Sequence, residues 1–245
     1  MKLIAAQIAC TAGNIEHNLD KHVDVIEIAA SLGADMIVFP ELSLTGYEPR
    51  LAEVLAMQPE DERLDVFQWL SDRFGMLIAV GAPIRKSGGN RIGMLVFQPQ
   101  LPRTLYCKQR LHPDEFPFFL PGAGQSLFTR GETILAPAIC YESLQMEHAQ
   151  QAAHAGAQVY FTSVAKSQRG VDTAYAHYPL VAREHGMSVI MANCVGRADD
   201  YVAAGQSGAW NAEGTLVIGA DAVSEVLVVY DLGSGEGEVV ELAGP

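Results

Sequence analysis

Short apolar runs separated by amphipathic segments recur along most of this chain, and this alternation restricts the possible folds more than any other feature. Five of the runs have the length and continuity of strands buried on both faces, and they cover residues 36–39, 76–80, 134–139, 158–162 and 188–193. Apolar residues at helical spacing fill the intervals, and the predicted helices cover 14–33, 61–73, 143–155 and 171–185. Buried strands that alternate with helices indicate an α/β fold.

The remaining segments add strands and one long loop. Residues 2–10 predict a first strand rather than a signal peptide, because Gln7 interrupts the apolar stretch. Residues 91–107 predict two strands joined through prolines, and the segment 108–124 is a long loop of the kind that often carries function. Beyond Trp210 we expect two or three short strands and a tail rich in Gly and Glu.

A faint internal repeat divides the chain into halves. The segment 32–39 resembles 155–161, and 75–79 resembles 186–190; in each case a helix stops at glycine and an apolar strand begins. The matches occur in the same order, which predicts two similar α/β halves facing one another, although all junctions of this type look alike. Because no linker separates the halves, we treat residues 1–245 as one domain.

Composition excludes several classes of protein. The 16 basic and 29 acidic residues give a net charge of −13, which disfavours nucleic acid and anionic membranes as partners. No apolar run approaches the ~20 residues that span a bilayer. The four cysteines are scattered and include no Cys-x-x-Cys pair, so we expect no metal site, no disulfide framework and a cytoplasmic chain with reduced thiols; they are Cys10, Cys107, Cys140 and Cys194. No organic cofactor is implied either.

Three predicted strands end at residues that can carry chemistry. Glu41 follows the apolar run 36–39, Lys108 follows the second strand of 91–107, and Cys140 terminates 134–139. Each residue alone has an ordinary explanation: a solvated turn, a surface charge, or core packing. In open α/β sheets, however, reactive groups gather beyond the carboxyl ends of strands.

The sequences around these three residues resemble the signatures of the nitrilase superfamily, in that family's order and at its usual separations. They are Phe-Pro-Glu-Leu-Ser-Leu-Thr-Gly-Tyr at 39–47, Lys-Gln-Arg-Leu-His-Pro at 108–113 and Ile-Cys-Tyr-Glu at 139–142. The resemblance implies a four-layer αββα sandwich and a catalytic set of Glu41, Lys108 and Cys140. A second glutamate usually follows the lysine; Glu115 is the best match, although the usual separation is one residue longer and Asp114 is adjacent.

That resemblance implies a hydrolase that cleaves a non-peptide C–N bond, amide or carbamoyl, of a small molecule. Cys140 would form a thioester, Glu41 would act as general base, and Lys108 with the backbone N–H after Cys140 would hold the oxyanion. The products would be an acid and ammonia or an amine. Nitrile hydrolysis or acyl transfer to an amine remain alternatives at the same site.

Further expectations concern the pocket and the partners. Five residues are predicted to line the substrate pocket: Tyr47, Phe116, Tyr141, Ser163 and Val164. Phe116 fits equally well as an anchor that pins its loop on the core, and Glu142 fits equally well as a structural ion-pair residue or a site residue. The resemblance also implies a homodimer acting on a small-molecule amide, with the tail from about residue 231 extended or at the subunit interface.

Other classes of protein account for the sequence less well. A non-catalytic binding protein on the same fold would be favoured by loss of Glu41, Lys108 or Cys140, and all three are present. A thiol-redox protein would need a second cysteine to approach Cys140 in space. His112 suggests a Cys/His protease pair, but papain-like flanks are absent. The histidines on the predicted helix 171–185 lack a third ligand at metal spacing.

Overall fold

Two β-sheets carry most of the strands in the computed structural model, which describes residues 1–242. The seven-stranded sheet has the spatial order β15 (Glu236–Glu241), β14 (Val226–Asp231), β1 (Lys2–Gln7), β2 (Met36–Val38), β3 (Leu77–Lys86), β4 (Gly89–Phe97) and β5 (Thr104–Cys107). The six-stranded sheet has the order β13 (Leu216–Gly219), β12 (Gly208–Trp210), β9 (Ser188–Asn193), β8 (Val159–Val164), β7 (Thr133–Ile139) and β6 (Phe128–Arg130). A separate hairpin pairs β10 (Val195–Ala198) with β11 (Tyr201–Ala204).

Within the described residues, five α-helices connect the strands: α1 (Ile15–Ser31), α2 (Ala52–Leu55), α3 (Asp65–Phe74), α4 (Met146–His154) and α5 (Gln168–His185). The start of α1 follows from a local signal, since the Asn14 side chain accepts a hydrogen bond from the backbone N–H of His17 at 3.2 Å. Both α3 and α5 end at a left-handed glycine, Gly75 (φ 63°) and Gly186 (φ 64°).

Side chains of the central strands alternate between two cores. In β1, Leu3 belongs to the apolar layer between the two sheets, which also contains Phe161 of β8. Its neighbour Ile4 packs instead with Ile26 of α1 and Phe67 of α3 on the outer face. A third core joins the outer face of the second sheet to α4 and α5. The layers are therefore helix, sheet, sheet and helix, which confirms the predicted αββα sandwich.

The two halves repeat one another in topology. Strands β1, β2 and β3 are parallel neighbours, as are β7, β8 and β9, and each trio continues into an antiparallel strand, β4 or β12. Helices α1 and α3 occupy the same connections in the first half as α4 and α5 in the second. The internal repeat in the sequence thus reflects two similar α/β halves.

Several predicted boundaries were wrong for local reasons. The strand 76–80 continues to Lys86, because it forms a long antiparallel hairpin with β4. The helix predicted at 143–155 begins only at Met146, since a 3-10 turn occupies Cys140–Leu144. The hairpin of β10 and β11 was not predicted. Its alternation of polar and apolar residues is too short to give a strand signal.

Most of the described part of the tail forms strand β15. Strand β15 pairs antiparallel with β14 at the edge of the seven-stranded sheet. A role of this edge in subunit contact stays a prediction. The domain was predicted to run to Pro245, and residues 243–245 lie outside the described residues. Within residues 1–242, no helix combines the length and apolar character that a membrane span requires.

Candidate active site

Glu41 lies in a tight turn beyond β2, and its side chain is almost completely buried. A Cβ atom at Gly81 of β3 would lie 2.5 Å from the backbone nitrogen of Leu42 and 2.6 Å from the carbonyl oxygen of Pro40, so this close approach requires glycine. The backbone N–H of Glu41 donates to the carbonyl of Val164 at 3.3 Å. The turn is therefore held between β3 of one sheet and β8 of the other.

Lys108 follows β5, and its ammonium group is fully buried between two carboxylates. Nζ donates to Glu41 Oε1 at 2.7 Å and to Glu115 Oε1 at 2.6 Å. Burial by itself lowers the pKa of Lys108, but the two carboxylates outweigh burial and raise that pKa above its ordinary value. Lys108 is therefore a permanent cation at neutral pH.

Glu41 and Glu115 share the ammonium of Lys108, and this arrangement affects the pKa of Glu41. Burial raises the pKa of Glu41 to about 7; Lys108 opposes the rise and Glu115 adds to it. Oε2 of Glu41 is buried and has no hydrogen-bond partner among the described residues. A carboxyl group that titrates near neutrality and has a free oxygen is suited to accept and return a proton.

Glu115 is the second buried carboxylate, and it ends the 3-10 turn Pro113–Glu115. Besides binding Lys108, its Oε1 accepts a hydrogen bond from the Tyr47 hydroxyl at 2.9 Å, and its Oε2 accepts one from the backbone N–H of His112 at 2.7 Å. The adjacent Asp114 pairs instead with the His112 ring. Between the two acidic residues considered from the sequence, Glu115 is the one that meets the lysine.

Cys140 begins the 3-10 turn beyond β7 and adopts a left-handed backbone conformation with φ 45°. For a residue other than glycine, such a conformation costs about 1–3 kcal/mol and is typical of functional sites. Its Sγ lies 3.7 Å from Lys166 Nζ and 3.8 Å from the carbonyl oxygen of Ala165. Burial and then Glu41 raise the pKa of the Cys140 thiol to about 11, against Lys166. The thiol is therefore protonated at neutral pH and needs a base.

Cys140 opens into a pocket of about 560 Å³, a volume suited to a small molecule. Three tyrosines line it, Tyr47, Tyr141 and Tyr201, together with residues that follow β5, β8 and β10. A larger groove of about 830 Å³ beside Arg103 contains none of the buried charged groups described above. We therefore take the pocket at Cys140 as the candidate site.

Of the five predicted lining residues, Tyr47 and Tyr141 lie in the pocket wall and the other three do not. Phe116 is 58% exposed and lies outside the pocket. Ser163 is buried and donates to the carbonyl of Phe39 at 2.7 Å, and Val164 packs in the core between β8 and the helices. The wall begins only at the next residue, Ala165, because β8 remains inside the sheet up to Val164.

A family model of carbon-nitrogen hydrolases matches residues 3–238 of this sequence. The chain belongs to the carbon-nitrogen hydrolase family. This membership confirms the resemblance to the nitrilase superfamily and identifies the protein as a C–N hydrolase.

Solved structures with a similar fold include an amidase from Nesterenkonia sp. AN1. That amidase is 23% identical in sequence and superposes with a TM-score of 0.87 over 95% of this chain and 92% of its own. One mutant of it is in complex with butyramide, and another shows addition of acrylamide at the active site cysteine. At 23% sequence identity, this similarity shows that the two proteins share a fold.

Curated relatives include glutamine-dependent NAD(+) synthetases. The enzyme of Thermotoga maritima is 23% identical over 100% of this chain and 44% of its own length, and that of Acinetobacter baylyi is 25% identical over 92% and 43%. The chain thus spans less than half the length of these relatives.

Sequence reasoning missed Lys166, whose ammonium lies beside the thiol of this hydrolase. Lys166 is 4% exposed and lies in the segment between β8 and α5. Sequence reasoning also missed Tyr201, whose hydroxyl donates to the carbonyl of Ala165 at 2.8 Å. A lysine two residues beyond a buried strand was the available signal for Lys166, and it is similar to the signal that identified Lys108. Tyr201 had none, because its hairpin was not predicted.

Glu142 connects the segments that carry Cys140 and Lys108. Oε1 accepts hydrogen bonds from the Tyr106 hydroxyl at 2.7 Å and the backbone N–H of Ile139 at 2.8 Å. Oε2 accepts from the backbone N–H of Gln109 at 2.6 Å and of Arg110 at 3.2 Å. Glu142 is absent from the pocket wall. Of its two interpretations, the structural one describes its contacts, which are mainly backbone and phenol groups. The His148 ring also lies 3.8 Å from Oε2, but burial lowers the pKa of His148 to about 4, so the ring is neutral at pH 7 and forms no ion pair.

Replacing Glu142 by glutamine is expected to lower the free energy of unfolding by about 2–4 kcal/mol, because an amide nitrogen in place of one oxygen leaves buried donors unpaired. Hydrolysis should fall as well, since both flanking segments lose their common anchor. Urea unfolding and kcat measure the two effects. Glu147→Gln, at an exposed position on α4, is the matched control. Wild-type stability in Glu142→Gln would contradict the anchoring role.

Proposed function

We propose that this hydrolase cleaves the amide bond of a small molecule through a thioester on Cys140, releasing ammonia or an amine. The observation that carries the proposal is the buried Glu41 carboxyl group, with a pKa of about 7 and a free oxygen, in the same cluster as Lys108 and near the Cys140 thiol. The butyramide and acrylamide bound by mutants of the similar amidase support a small amide as substrate.

In the acylation half, Glu41 takes the proton of Cys140, because a thiol with a pKa of about 11 is a poor nucleophile without a base. Sγ then bonds to the amide carbonyl carbon, and negative charge develops on the carbonyl oxygen. Lys108 and the backbone N–H of Tyr141 stabilise that charge. Glu41 returns its proton to the amide nitrogen, the C–N bond breaks, and ammonia or an amine leaves.

In the deacylation half, Glu41 takes a proton from water, and the hydroxide oxygen bonds to the thioester carbonyl carbon. The C–S bond breaks, and the returning proton restores the Cys140 thiol as the acid leaves. Glu115 contacts neither the water nor Sγ in this scheme. It accepts a second hydrogen bond from Lys108 Nζ, in addition to the one that Glu41 accepts, and keeps the ammonium in place.

The proposal is tested by ammonia release from a panel of small amides, including butyramide and glutamine, with carbamoyl amines and nitriles alongside. Glutamine is included because the curated relatives are glutamine-dependent enzymes. Acid quenching during turnover, followed by mass analysis of the intact protein, should detect one acyl adduct. Peptide mapping should place it on Cys140 rather than on Cys10, Cys107 or Cys194.

Each outcome of this panel separates the alternatives. Release from nitriles but not amides would make the protein a nitrilase, and adduct formation that speeds up with added amines would favour acyl transfer. Absence of both ammonia and adduct across the panel would contradict C–N hydrolysis at Cys140. Disulfide formation between Cys140 and Cys107 or Cys194 in place of an adduct would favour thiol-redox chemistry.

The pH dependence of kcat/KM should reflect the titration of the Glu41 carboxyl group. Only the ionised carboxylate can take the thiol proton, so kcat/KM is expected to fall about tenfold per pH unit below pH 7 and to level off above it. Glu41→Gln should remove most of the activity, and the activity that is left should no longer fall below pH 7. A profile that stays flat down to pH 5 would contradict the assignment of Glu41 as base.

We further propose a cytoplasmic homodimer. All four cysteines are unpaired thiols in the described residues, which fits a reducing compartment. The proposal of a homodimer is based on the family resemblance. Sedimentation velocity measures the oligomeric state directly.

A further inference from the structure

Lys166 brings a second ammonium group to the active site, beside the sulfur of Cys140. Its Nζ lies 3.7 Å from Sγ, and Sγ is its one hydrogen-bond partner among residues 1–242. The residue is only 4% exposed, and no carboxylate of this part of the chain forms an ion pair with it. A buried ammonium without a counter-charge is destabilising, so proteins seldom keep one that has no function.

The other buried ammonium of the site, that of Lys108, is paired with two anions. It donates to Glu41 at 2.7 Å and to Glu115 at 2.6 Å. With both carboxylates ionised, these three groups carry one negative charge in excess, which opposes ionisation of Cys140. Burial and then Glu41 raise the pKa of the Cys140 thiol, and of the two lysines that lower it, Lys166 has the larger effect.

Transfer of the thiol proton to Glu41 moves the excess negative charge to Sγ. The Glu41 carboxyl group becomes neutral, and Lys108 keeps Glu115 as its anionic partner. The Cys140 thiolate then lies 3.7 Å from the ammonium of Lys166. After the transfer each buried lysine is therefore next to one anion, whereas before it two carboxylates share Lys108 and Lys166 has none.

Several contacts hold Lys166 in this position. The Asn193 side chain accepts a hydrogen bond from the backbone N–H of Lys166 at 2.8 Å and donates one to its carbonyl at 3.2 Å. The lysine stem passes over Gly170, where a Cβ atom would lie 3.1 Å from Lys166 Cβ and 3.3 Å from its Cγ. The preceding carbonyl, of Ala165, accepts a hydrogen bond from the Tyr201 hydroxyl at 2.8 Å. Such fixed positioning is typical of a group that acts on a reacting atom.

We infer that Lys166 is a further catalytic residue, whose ammonium stabilises the Cys140 thiolate while Glu41 holds the proton. The inference rests on the proposed hydrolysis at Cys140 and adds a cation to that site. Lys166 keeps its own proton and forms no bond to the substrate. In the deacylation half, the same ammonium stabilises Sγ as the sulfur leaves the thioester carbonyl carbon, before Glu41 returns a proton to it.

Other ionisable groups also act on Cys140 or Lys166. Besides Glu41 and Lys108 they are Glu115, Tyr47, Tyr178, Tyr201, Cys194 and His177. Burial raises the pKa values of the three tyrosines and of Cys194 and lowers the pKa of His177, so these five side chains are neutral between pH 7 and pH 9. The outer pocket adds Asp114, Asp199, Asp200 and Arg169, which are the same in every variant compared.

The test is the rate at which iodoacetamide, an uncharged small amide, alkylates Cys140 between pH 5 and pH 9. The thiolate is the reactive form, so the rate measures the ionised fraction without any hydrolysis. In wild-type protein the rate should rise about tenfold per pH unit below pH 7, where Glu41 ionises, and then level off. Lys166→Met should lower that level at least about tenfold, because the thiolate loses a charge-assisted hydrogen bond. Lys166→Arg, which keeps the stem and the charge, should recover most of it.

Peptide mapping of the alkylated protein supplies an internal reference. Cys107 lies outside the pocket wall, and its alkylation should be the same in wild type and Lys166→Met. Lys86→Met, at an exposed position on β3, is the matched control and should leave the Cys140 rate unchanged. Urea unfolding gives an independent readout. Lys166→Met should be at least as stable as wild type, because an apolar side chain replaces a buried ammonium that has no carboxylate partner in the described residues.

The outcomes separate this inference from the proposed function. A wild-type rate of Cys140 alkylation in Lys166→Met would overturn the inference. So would an equal loss in Lys166→Arg, or a loss accompanied by lower stability, since either result indicates packing rather than charge. For the best amide of the panel, kcat/KM should fall by about the same factor as the alkylation rate. Failure of the wild-type protein to hydrolyse any amide contradicts the proposed function, and the alkylation rates then decide the role of Lys166 on their own.

Discussion

Replacing Cys140 by alanine is expected to abolish amide hydrolysis, with a loss on the order of 10⁴-fold or more, as for other enzymes that lose their nucleophile. No other cysteine lines the pocket, so no neighbouring thiol can substitute for Sγ. Stability should change little, because the replaced atoms are few and the left-handed backbone at this position is unaltered. The measurement is ammonia release from the best substrate of the panel, with urea unfolding of the same preparation.

Cys107→Ala and Cys194→Ala are the matched controls for this experiment. Both thiols lie outside the pocket wall, and hydrolysis through a thioester needs neither of them. We expect both variants to keep their activity within a few-fold of wild type. Hydrolysis by Cys140→Ala at the wild-type rate would eliminate Cys140 as the nucleophile and the mechanism with it.

Replacing Lys108 by methionine is expected to remove both activity and much of the stability. Its ammonium compensates Glu41 and Glu115 in a fully buried cluster, and removing one partner of a buried ion pair costs about 3–5 kcal/mol. Loss of an oxyanion donor costs a further ~10²–10³-fold in kcat. Urea unfolding and steady-state kinetics measure these effects, and Lys86→Met, at an exposed position, should change stability by less than about 0.5 kcal/mol.

The stability loss in Lys108→Met should depend on pH. Without the ammonium, the pKa of Glu41 rises beyond its value of about 7, while in the unfolded chain it is about 4.3. Between these two values the folded state binds more protons than the unfolded state, so stability decreases as pH rises through that window. We therefore expect a smaller deficit at pH 5 than at pH 8. A deficit that is equal at both pH values would contradict the charge-compensation role of Lys108.

Local patterns in the sequence determined most of the fold. Apolar runs located the central strands, because β1, β2, β3, β7, β8 and β9 are buried along nearly their whole length. Asn14 and the glycines at 75 and 186 marked helix ends through hydrogen bonding and left-handed backbone geometry that depend only on neighbouring residues. Strand β6 and the β10–β11 hairpin were missed, since strands of three or four residues are too short to show a periodic pattern.

For the site, the sequence by itself determined that Glu41, Lys108 and Cys140 each follow a strand, and the family resemblance added Glu115. Their meeting depends on how the two sheets pack, since β7 lies in a different sheet from β2 and β5, and β5 is antiparallel to its neighbour β4.

Only the tertiary structure decided which charges around them are compensated. The partners of a buried group come from segments far apart in sequence: Lys166 meets Cys140 across 26 residues and is held by Asn193, 27 residues further along the chain. Desolvation and Coulomb interactions act through space, so neither the pKa of Glu41 nor the buried position of the Lys166 ammonium beside Cys140 has a counterpart in local sequence.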